Sequence, residues 1–432
     1  MWESFMGILA LVWDGGMASF ATLEVWSEPE IRDRLGWYYS VSNNLKPAKY
    51  LICRRIPILD DLRTLGEEEL WKLHEKASIE FQKIIQQIGE GTLELDELEP
   101  RRPNLLDLKV ALTKKMLTHC NFCRWNCKVD RTARTKFGTC QLDERTRVSS
   151  YFHHRGEELP IRGTKGSGTI FFTSCNQRCV FCQNSDISHD KDNGIVFTPQ
   201  TLAWTMWQLR MEGCHNINLV GGEPTIHLHT IVEAISMLRF FKGVEAEAME
   251  AKADLYIPYS MDMRNASYRG EFNTPILWNS NMYMSGETMK ILRELIDIWL
   301  PDFKFGNNRC AIWLARTPWY FETVAENHKL IYEWGEDIVI RHLIMPGHVE
   351  CCTKPVLRWI ADNMPSTPVN IMDQYHPDCY CNPSDPRFDR RYMDMARYPT
   401  RDEILESYRY ARELELNFEE ITFERSVHRL RL

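Results

Sequence analysis

Three closely spaced cysteines constrain what this chain can fold into more than any other feature. Cys175, Cys179 and Cys182 directly follow an apolar run at residues 169–173 that is typical of a buried strand. Three thiolates on one tight loop can each bind one iron of a cubane 4Fe–4S cluster, which leaves the fourth iron without a protein ligand. An open coordination position is what lets a metal centre act on a bound molecule. The alternatives are three buried structural cysteines or a zinc loop that lacks a ligand.

Strand-like and helix-like segments alternate between residues 168 and 373, which indicates a parallel sheet with helices packed on it. The predicted strands are 169–173, 216–220, 275–278, 299–304, 338–344 and 369–372. The helices predicted between them include 199–211, 228–240, 286–297 and 354–363. Six units predict an α/β fold with a partial (β/α)6 barrel of the TIM type, whose functional residues lie at the carboxyl ends of the strands. Two long stretches, 243–273 and 376–398, interrupt the alternation, and loops of that length often carry function.

Composition narrows the class of protein. The chain has 432 residues, 44% of them hydrophobic, 26% charged, with a net charge of −8, which predicts a globular protein of two or three domains. The excess of acidic residues argues against a nucleic-acid partner. The apolar run at 5–13 is predicted as a buried strand or helix segment, because no basic residue precedes it and it is too short to span a bilayer. We therefore expect no membrane partner and a cytoplasmic location.

The 14 cysteines favour metal ligands in a reducing compartment over a disulfide framework. A second group, Cys120, Cys123, Cys127 and Cys140, has the spacing C-x2-C-x3-C-x12-C. Four sulfurs within 21 residues suit zinc, a rubredoxin-type iron or a fully ligated auxiliary cluster. Four protein ligands leave no open position, so we favour a structural role for this group over an electron relay.

The other cysteines are predicted to be ordinary thiols. The vicinal pair Cys351 and Cys352 has no partner set in the sequence. Cys379 and Cys381 keep a possible functional role, because they lie in one of the interrupting loops close to His376.

The first hundred residues contain one clear helix and no motif. Thr64 and Glu67 predict a capping box ahead of an apolar stripe that ends at Gly89. A short amphipathic helix from Leu105 leads to the four-cysteine group. These boundaries predict an N-terminal domain over 1–103, a metal-binding segment over 104–167, the partial barrel over 168–375 and a C-terminal extension over 376–432.

The cysteine triplet resembles the signature of the radical S-adenosylmethionine (SAM) superfamily, and its surroundings resemble the branch of the pyruvate formate-lyase activating enzyme. Phe181 precedes the last cysteine, as in that signature. Gly221, Gly222, Glu223 and Pro224 follow the second predicted strand and match the superfamily's motif for the SAM amino group. Glycines let backbone carbonyls approach an ammonium, and Glu223 offers it a negative charge.

Further segments extend the resemblance in chain order. Asn279, Ser280 and Asn281 resemble a ribose-binding segment in which activating enzymes also hold a monovalent cation through an acidic residue; here Asn279 replaces that residue. Asp302 and Lys304 resemble an Asp-x-Lys motif in which the lysine pairs with the SAM carboxylate.

Two last residues complete the set that the resemblance implies. Arg341, on the fifth strand, would face the methionine moiety, and His376, after the sixth, would lie near the nucleoside. The resemblance spans residues 120 to about 378. The fold it implies is the partial barrel of the radical SAM type.

The resemblance also implies a chemistry. A reduced 4Fe–4S cluster would cleave SAM to a 5′-deoxyadenosyl radical, which abstracts hydrogen from a carbon of a protein or peptide substrate, and an external one-electron reductant is needed. The outcome we favour is radical C-methylation with cobalamin as second cofactor, since 14 tryptophans and the extra segments leave room for a large planar group. No Asp-x-His-x-x-Gly cobalamin motif occurs. The alternatives are a glycyl-radical activase and, from another class, an iron–sulfur sensor or scaffold that does not cleave SAM.

Overall fold

The computed structural model describes residues 25–242 and 259–423. The apolar run at 5–13 and the first part of the interruption at 243–273 lie outside the described residues. The strands are β1 (Thr146–His154), β2 (Ser167–Phe172), β3 (Ile195–Phe197), β4 (Ile217–Gly221), β5 (Ser267–Tyr268), β6 (Glu271–Phe272), β7 (Ile276–Ser280), β8 (Ile298–Pro301), β9 (Ile340–Leu343) and β10 (Val369–Met372).

Helices fill most of the intervals between the strands. The α-helices are α1 (Pro29–Arg34), α2 (Gly36–Ser42), α3 (Lys49–Cys53), α4 (Glu67–Glu90), α5 (Leu105–Leu117), α6 (Leu159–Arg162), α7 (Ser185–Ser188), α8 (Pro199–Met211), α9 (Leu228–Met237), α10 (Gly286–Arg293), α11 (Asn308–Ala315), α12 (Tyr320–Glu333), α13 (Lys354–Asn363), α14 (Arg401–Glu413) and α15 (Glu419–Thr422). A single π-helical turn, Val349–Thr353, precedes α13. None of the described helices is long and apolar enough to cross a membrane.

Six parallel strands follow one another in chain order, which confirms the predicted α/β class. β2, β4, β7 and β8 are neighbours in one sheet, and β9 pairs with β10. Two isolated parallel bridges join β8 to β9, Trp299 to Ile338 and Asp302 to Arg341. All five residues of β7 are buried, as expected for a parallel strand covered on both faces. All six predicted parallel strands are therefore present.

Four strands of the described residues were not predicted, namely β1, β3, β5 and β6, and the last two form a short antiparallel pair within the interruption at 243–273. β1 pairs antiparallel with β2 and with β3, so the sheet continues past its first parallel strand in the order β3-β1-β2-β4-β7-β8. The first three residues of β1 are buried, and its other six are partly or fully exposed. With so few buried positions, β1 lacks the run of buried apolar residues that is typical of a strand in a parallel sheet.

Helix α4 starts and stops two residues later than predicted. Its N-cap is Gly66, whose backbone N–H donates to the Glu69 carboxylate at 2.8 Å, so Gly66 and Glu69 close the turn instead of Thr64 and Glu67. The helix ends at Gly91, which adopts a left-handed conformation with φ of 73°. Gly89 remains helical.

A buried ion pair anchors the N-terminal helices to the sheet region. Lys109 on α5 donates to Glu294, after α10, and to the carbonyl oxygen of Ile291 at 2.8 Å. Both charged side chains are at most 1% exposed. His74 on α4 lies 2.9 Å from the Lys109 ammonium, and burial lowers the pKa of His74 to about 3, so its ring is neutral at pH 7.

The first described helices cover the amino-terminal edge of the parallel strands. Asp297, just before β8, accepts hydrogen bonds from Trp37 and Lys49. Asp337, before β9, accepts one from the backbone N–H of Tyr38 at 2.7 Å. These contacts place α2 and α3 at the edge opposite the carboxyl ends of the strands.

Candidate functional site

An open pocket lies at the carboxyl ends of the parallel strands. The loop after β2 and the ends of β4, β7, β8 and β9 all contribute to its wall. Thirteen of the residues expected in the site line it: Cys175, Cys179, Phe181, Cys182, Gly221, Gly222, Glu223, Asn279, Ser280, Asn281, Asp302, Lys304 and Arg341. Residues more than a hundred positions apart thus meet in one cavity, because parallel strands end at the same edge.

The three thiols of the triplet line one side of this pocket. Cys175 is buried and receives a hydrogen bond from the backbone N–H of Gln177 at 3.3 Å. Cys182 lies 3.1 Å from the hydroxyl of Ser188. Burial raises the pKa of all three thiols, that of Cys179 to about 12. Iron binding must therefore displace three protons, and the site is more favourable for iron as the pH rises.

The Gly-Gly turn lies against the backbone that leads into the triplet. Gly221 has a φ of 121°, a conformation that side chains disfavour. A Cβ atom on Gly222 would lie 1.6 Å from the carbonyl oxygen of Ser174. Only glycine fits there, and the close approach fixes the turn after β4 relative to Cys175.

Glu223 joins the turn after β4 to the end of β7 by hydrogen bonds. Its carboxylate accepts bonds from the backbone N–H of Thr225 at 3.1 Å, the hydroxyl of Ser280 at 2.7 Å and the backbone N–H of Asn281 at 3.0 Å. The side chain is buried, and burial raises its pKa. Glu223 thus positions the end of β7 in addition to offering charge to the pocket.

Asp302, Lys304, Arg341 and Asn279 form a connected polar wall. Asp302 pairs with Lys304 through one oxygen and accepts from Nε of Arg341 at 2.9 Å through the other. Burial would raise the pKa of Asp302, but the two cations outweigh it and the pKa is lowered. Arg341 also donates to the side-chain oxygen of Asn279. The side-chain oxygen of Asn279, which stands where activating enzymes have an acidic cation ligand, therefore already accepts a hydrogen bond.

The lining fits a polar ligand that would satisfy further groups. Buried nitrogens of Gln177, His189 and Asn279 have no hydrogen-bond partner, and all three residues line the pocket. Buried polar groups are nearly always paired, so unpaired donors at one cavity wall are expected where a ligand completes the site. Together with the three thiols and the Lys304 ammonium, they give the pocket both soft sulfur ligands and polar groups for a bound molecule.

Two expected residues lie outside the lining. Pro224 begins a short 3-10 helix, Pro224–His227, and His376 is 45% exposed and paired with Asp378 at 2.9 Å. Gln374, two positions earlier, lines the pocket instead. Sequence reasoning also missed a set of polar residues within or just after the triplet: Gln177, Gln183, Asn184, Ser188 and His189. Their closeness to Cys182 in the chain was the available signal.

The four-cysteine group packs directly on the triplet loop. Cys120, Cys123 and Cys140 are buried and Cys127 partly so. A Cβ on Gly138 would lie 2.8 Å from the Cys127 sulfur. Three hydrogen bonds join the two segments: Trp125 Nε1 to Asn176 O at 2.7 Å, Ser174 Oγ to Cys140 O at 2.7 Å and Arg178 to Thr139 O at 2.9 Å.

The prediction that Cys351 and Cys352 lack partners is wrong. Their sulfurs lie with those of Cys310 and a ring nitrogen of His348 in one group whose ligand atoms are all within 4.8 Å of one another. Cys310 stands 41 positions before Cys351, so sequence spacing gave no sign of this group.

Comparison with known proteins agrees with this site. The model of the radical SAM superfamily matches residues 169–360, from β2 into α13. Uncharacterized protein MJ0674 of Methanocaldococcus jannaschii is 34% identical over 390 residues, which cover 89% of this chain and 98% of the relative.

Two solved structures share a weaker likeness. Streptococcus suis SuiB has a TM-score of 0.34 at 14% identity, and the match covers 57% of this chain and 46% of SuiB. A domain of pyruvate-formate lyase-activating enzyme from Bacteroides vulgatus has a TM-score of 0.26 at 13% identity, covering 34% of this chain and 80% of that domain. The matched region therefore spans less than half of the SuiB chain, and likenesses of this extent carry no inference about substrate or partner.

The cysteine triplet, the Gly-Gly-Glu-Pro turn and a family match that spans all of the in-order parallel strands except β10 lead to one conclusion. The chain is a radical SAM enzyme and belongs to the radical SAM superfamily.

Proposed function

We propose that the chain cleaves SAM reductively in this pocket and abstracts a hydrogen from a carbon of a protein or peptide residue. The observation that carries the proposal is the convergence of three thiols, the Gly-Gly turn and Lys304 on one cavity. Cys175, Cys179 and Cys182 would hold a 4Fe–4S cluster, which when reduced would supply the electron that breaks the C5′–S bond of SAM to give a 5′-deoxyadenosyl radical. The residues 168–375 carry this reaction in the domain division that we propose.

The chain's own residues would bind the cluster and orient SAM. Cys175, Cys179 and Cys182 would hold three irons and leave the fourth open to the amino and carboxylate groups of SAM. Backbone carbonyls at Gly221 would accept from the SAM ammonium. Lys304 has three donors, of which Asp302 takes one, so protons remain for the SAM carboxylate.

Electrons must reach the pocket from an external one-electron reductant. We propose that Cys120, Cys123, Cys127 and Cys140 hold an auxiliary iron–sulfur cluster that orders the triplet loop. A single tetrahedral zinc ion needs sulfur–sulfur distances of about 3.8 Å. The Cys/His group found within 4.8 Å among the described residues does not include these four, which favours a wider cluster. The three hydrogen bonds to the triplet loop support a structural role, so Cys123→Ala is expected to lower the folded yield first.

For the fate of the carbon radical we propose C-methylation of the substrate residue, a post-translational modification with cobalamin as methyl carrier. Plain glycyl-radical activation is the second candidate, because the motifs resemble the activating branch. Asn279 disfavours that candidate, since its side-chain oxygen is bound by Arg341 and does not offer the acidic ligand of a cation site. A sensor without SAM cleavage is disfavoured by the unpaired buried nitrogens at the pocket wall.

Trideuteromethyl-labelled SAM distinguishes these outcomes. The chain is expressed with cobalamin available, reduced, and incubated with labelled SAM and a proteome from cells that lack the chain. C-methylation predicts a label on carbon of one protein, and a corrin recovered with the purified chain. A glycyl radical detected by electron paramagnetic resonance, with no label transferred, would select activation instead. The Cys179→Ala variant is the control for reactions that do not use the triplet.

A further inference from the structure

Four metal-ligand side chains meet at a second place, away from the SAM pocket. The ligand atoms of Cys310, His348, Cys351 and Cys352 all lie within 4.8 Å of one another. The sulfurs of Cys310 and Cys351 are 3.7 Å apart, and Nδ1 of His348 lies 3.2 Å from the Cys351 sulfur and 3.8 Å from that of Cys352. None of these residues lines the SAM pocket.

The distances are those of one tetrahedral ion. Zinc–sulfur bonds of about 2.3 Å and zinc–nitrogen bonds of about 2.0 Å place two sulfurs about 3.8 Å apart and a sulfur and a nitrogen about 3.6 Å apart. The sulfur–sulfur distance of 3.7 Å agrees, and the two sulfur–nitrogen distances lie on either side of the ideal. A disulfide would need the sulfurs about 2.05 Å apart.

The surrounding backbone is shaped to bring the ligands together. Asn307 donates from its side chain to the carbonyl oxygen of Cys351 at 2.7 Å and accepts from the backbone N–H of Cys310 at 2.8 Å. A Cβ on Gly306 would lie 2.8 Å from the carbonyl oxygens of both Cys351 and Cys352. The loop after β8 and the π-helical turn after β9 are therefore in direct contact at the group.

The ligand set indicates which ion fits. Three sulfurs and one imidazole nitrogen in tetrahedral geometry are the set that zinc prefers among common cellular ions. Cys310 and Cys352 are buried, and His348 and Cys351 are partly buried. Four protein ligands make a closed, structural site.

We propose that Cys310, His348, Cys351 and Cys352 bind one zinc ion. The ion would link the loop that carries Lys304 to the segment that follows Arg341. It would therefore fix the positions of two walls of the SAM pocket relative to each other. No step of the proposed reaction uses this ion, so the inference stands apart from the proposed function.

The test uses the full chain, purified without oxygen and with its iron–sulfur clusters in place. Elemental analysis is expected to give about one zinc per chain, and zinc K-edge X-ray absorption is expected to give three sulfurs at about 2.3 Å and one nitrogen at about 2.0 Å. Cys310→Ala and Cys352→Ala are expected to lose at least about nine-tenths of the zinc while they keep their iron. Cys214→Ala, which removes an equally buried thiol elsewhere, is expected to keep both metals.

Four results would overturn the assignment. They are a chain without zinc, zinc surrounded by four sulfurs that Cys123→Ala removes, iron in place of zinc at this group, and a Cys310–Cys351 disulfide found by mass spectrometry after anaerobic alkylation. The absorption spectrum of the unmodified chain decides the ligand set even where a variant does not fold.

Discussion

Replacing Gly222 with alanine tests the geometry of the pocket most sharply. The added Cβ would lie 1.6 Å from the carbonyl oxygen of Ser174 and 2.5 Å from its carbonyl carbon. Non-bonded carbon and oxygen atoms stay about 3 Å apart or more, so one of the two segments must move by about 1.5 Å. Because Ser174 directly precedes Cys175, the movement displaces either Cys175, which we propose as a cluster ligand, or the Gly-Gly turn, which we propose binds the SAM amino group.

The expected loss follows from that displacement. A misplacement of about 1 Å in a reacting geometry costs about 100-fold in rate, which equals about 2.7 kcal/mol of barrier. We therefore expect Gly222→Ala to form 5′-deoxyadenosine at least about 100-fold more slowly than the unmodified chain, measured anaerobically with dithionite and with iron content determined in parallel. Gly286→Ala is the matched control, because nothing lies within 4 Å of its added Cβ. A Gly222→Ala variant that keeps its iron and stays within about tenfold of the unmodified chain would refute the reasoning.

Three further substitutions test SAM binding and the stability of the fold separately. Lys304→Met is expected to raise the KM for SAM about 10- to 100-fold, since it removes a charged hydrogen bond, and an unchanged KM would contradict the assigned role. Lys109→Met leaves Glu294 buried without its cation and is expected to lower the free energy of unfolding in urea by about 3–5 kcal/mol. Lys114→Met breaks an exposed ion pair on the same helix and is expected to lower it by less than about 1 kcal/mol. Equal losses for the two variants would contradict the stabilising role of the buried ion pair. Burial raises the pKa of Asp337 from 3.8 to about 8, so between these pH values the folded chain keeps a proton that the unfolded chain has lost, and stability falls as the pH rises. Asp337→Asn is expected to flatten the dependence of Tm on pH above about 4. A slope like that of the unmodified chain would show that Asp337 is not the source of the pH dependence.

The sequence was sufficient for those parts of the site that follow from strand order. Each parallel strand ends in a short motif, and parallel strands end at one edge, so Cys179, Gly222, Lys304 and Arg341 had to meet once the alternation was recognised. The six strands were found because short apolar stretches alternate with helical patterns along this part of the chain, although the strands also contain polar residues such as Asn279 and Arg341.

Other features depend on contacts that the sequence does not order. β1 has only three buried residues and pairs antiparallel with β2 and β3, so it lacks the run of buried apolar residues that is typical of a parallel strand. The group of Cys310 and Cys351 forms because two loops meet in space, which depends on how β8 and β9 are aligned. His376 was expected near the nucleoside, but the chain turns after β10 and leaves its side chain 45% exposed, with Gln374 at the pocket instead.

Formation of 5′-deoxyadenosine from SAM tests the central claim most directly. The full chain, with its clusters reconstituted and reduced without oxygen, is incubated with SAM alone and the product is quantified by mass spectrometry. We predict that the unmodified chain and the Cys214→Ala control form 5′-deoxyadenosine and that Cys179→Ala forms none. A fully loaded, reduced chain that leaves SAM intact, or a Cys179→Ala variant as active as the unmodified chain, would contradict the claim.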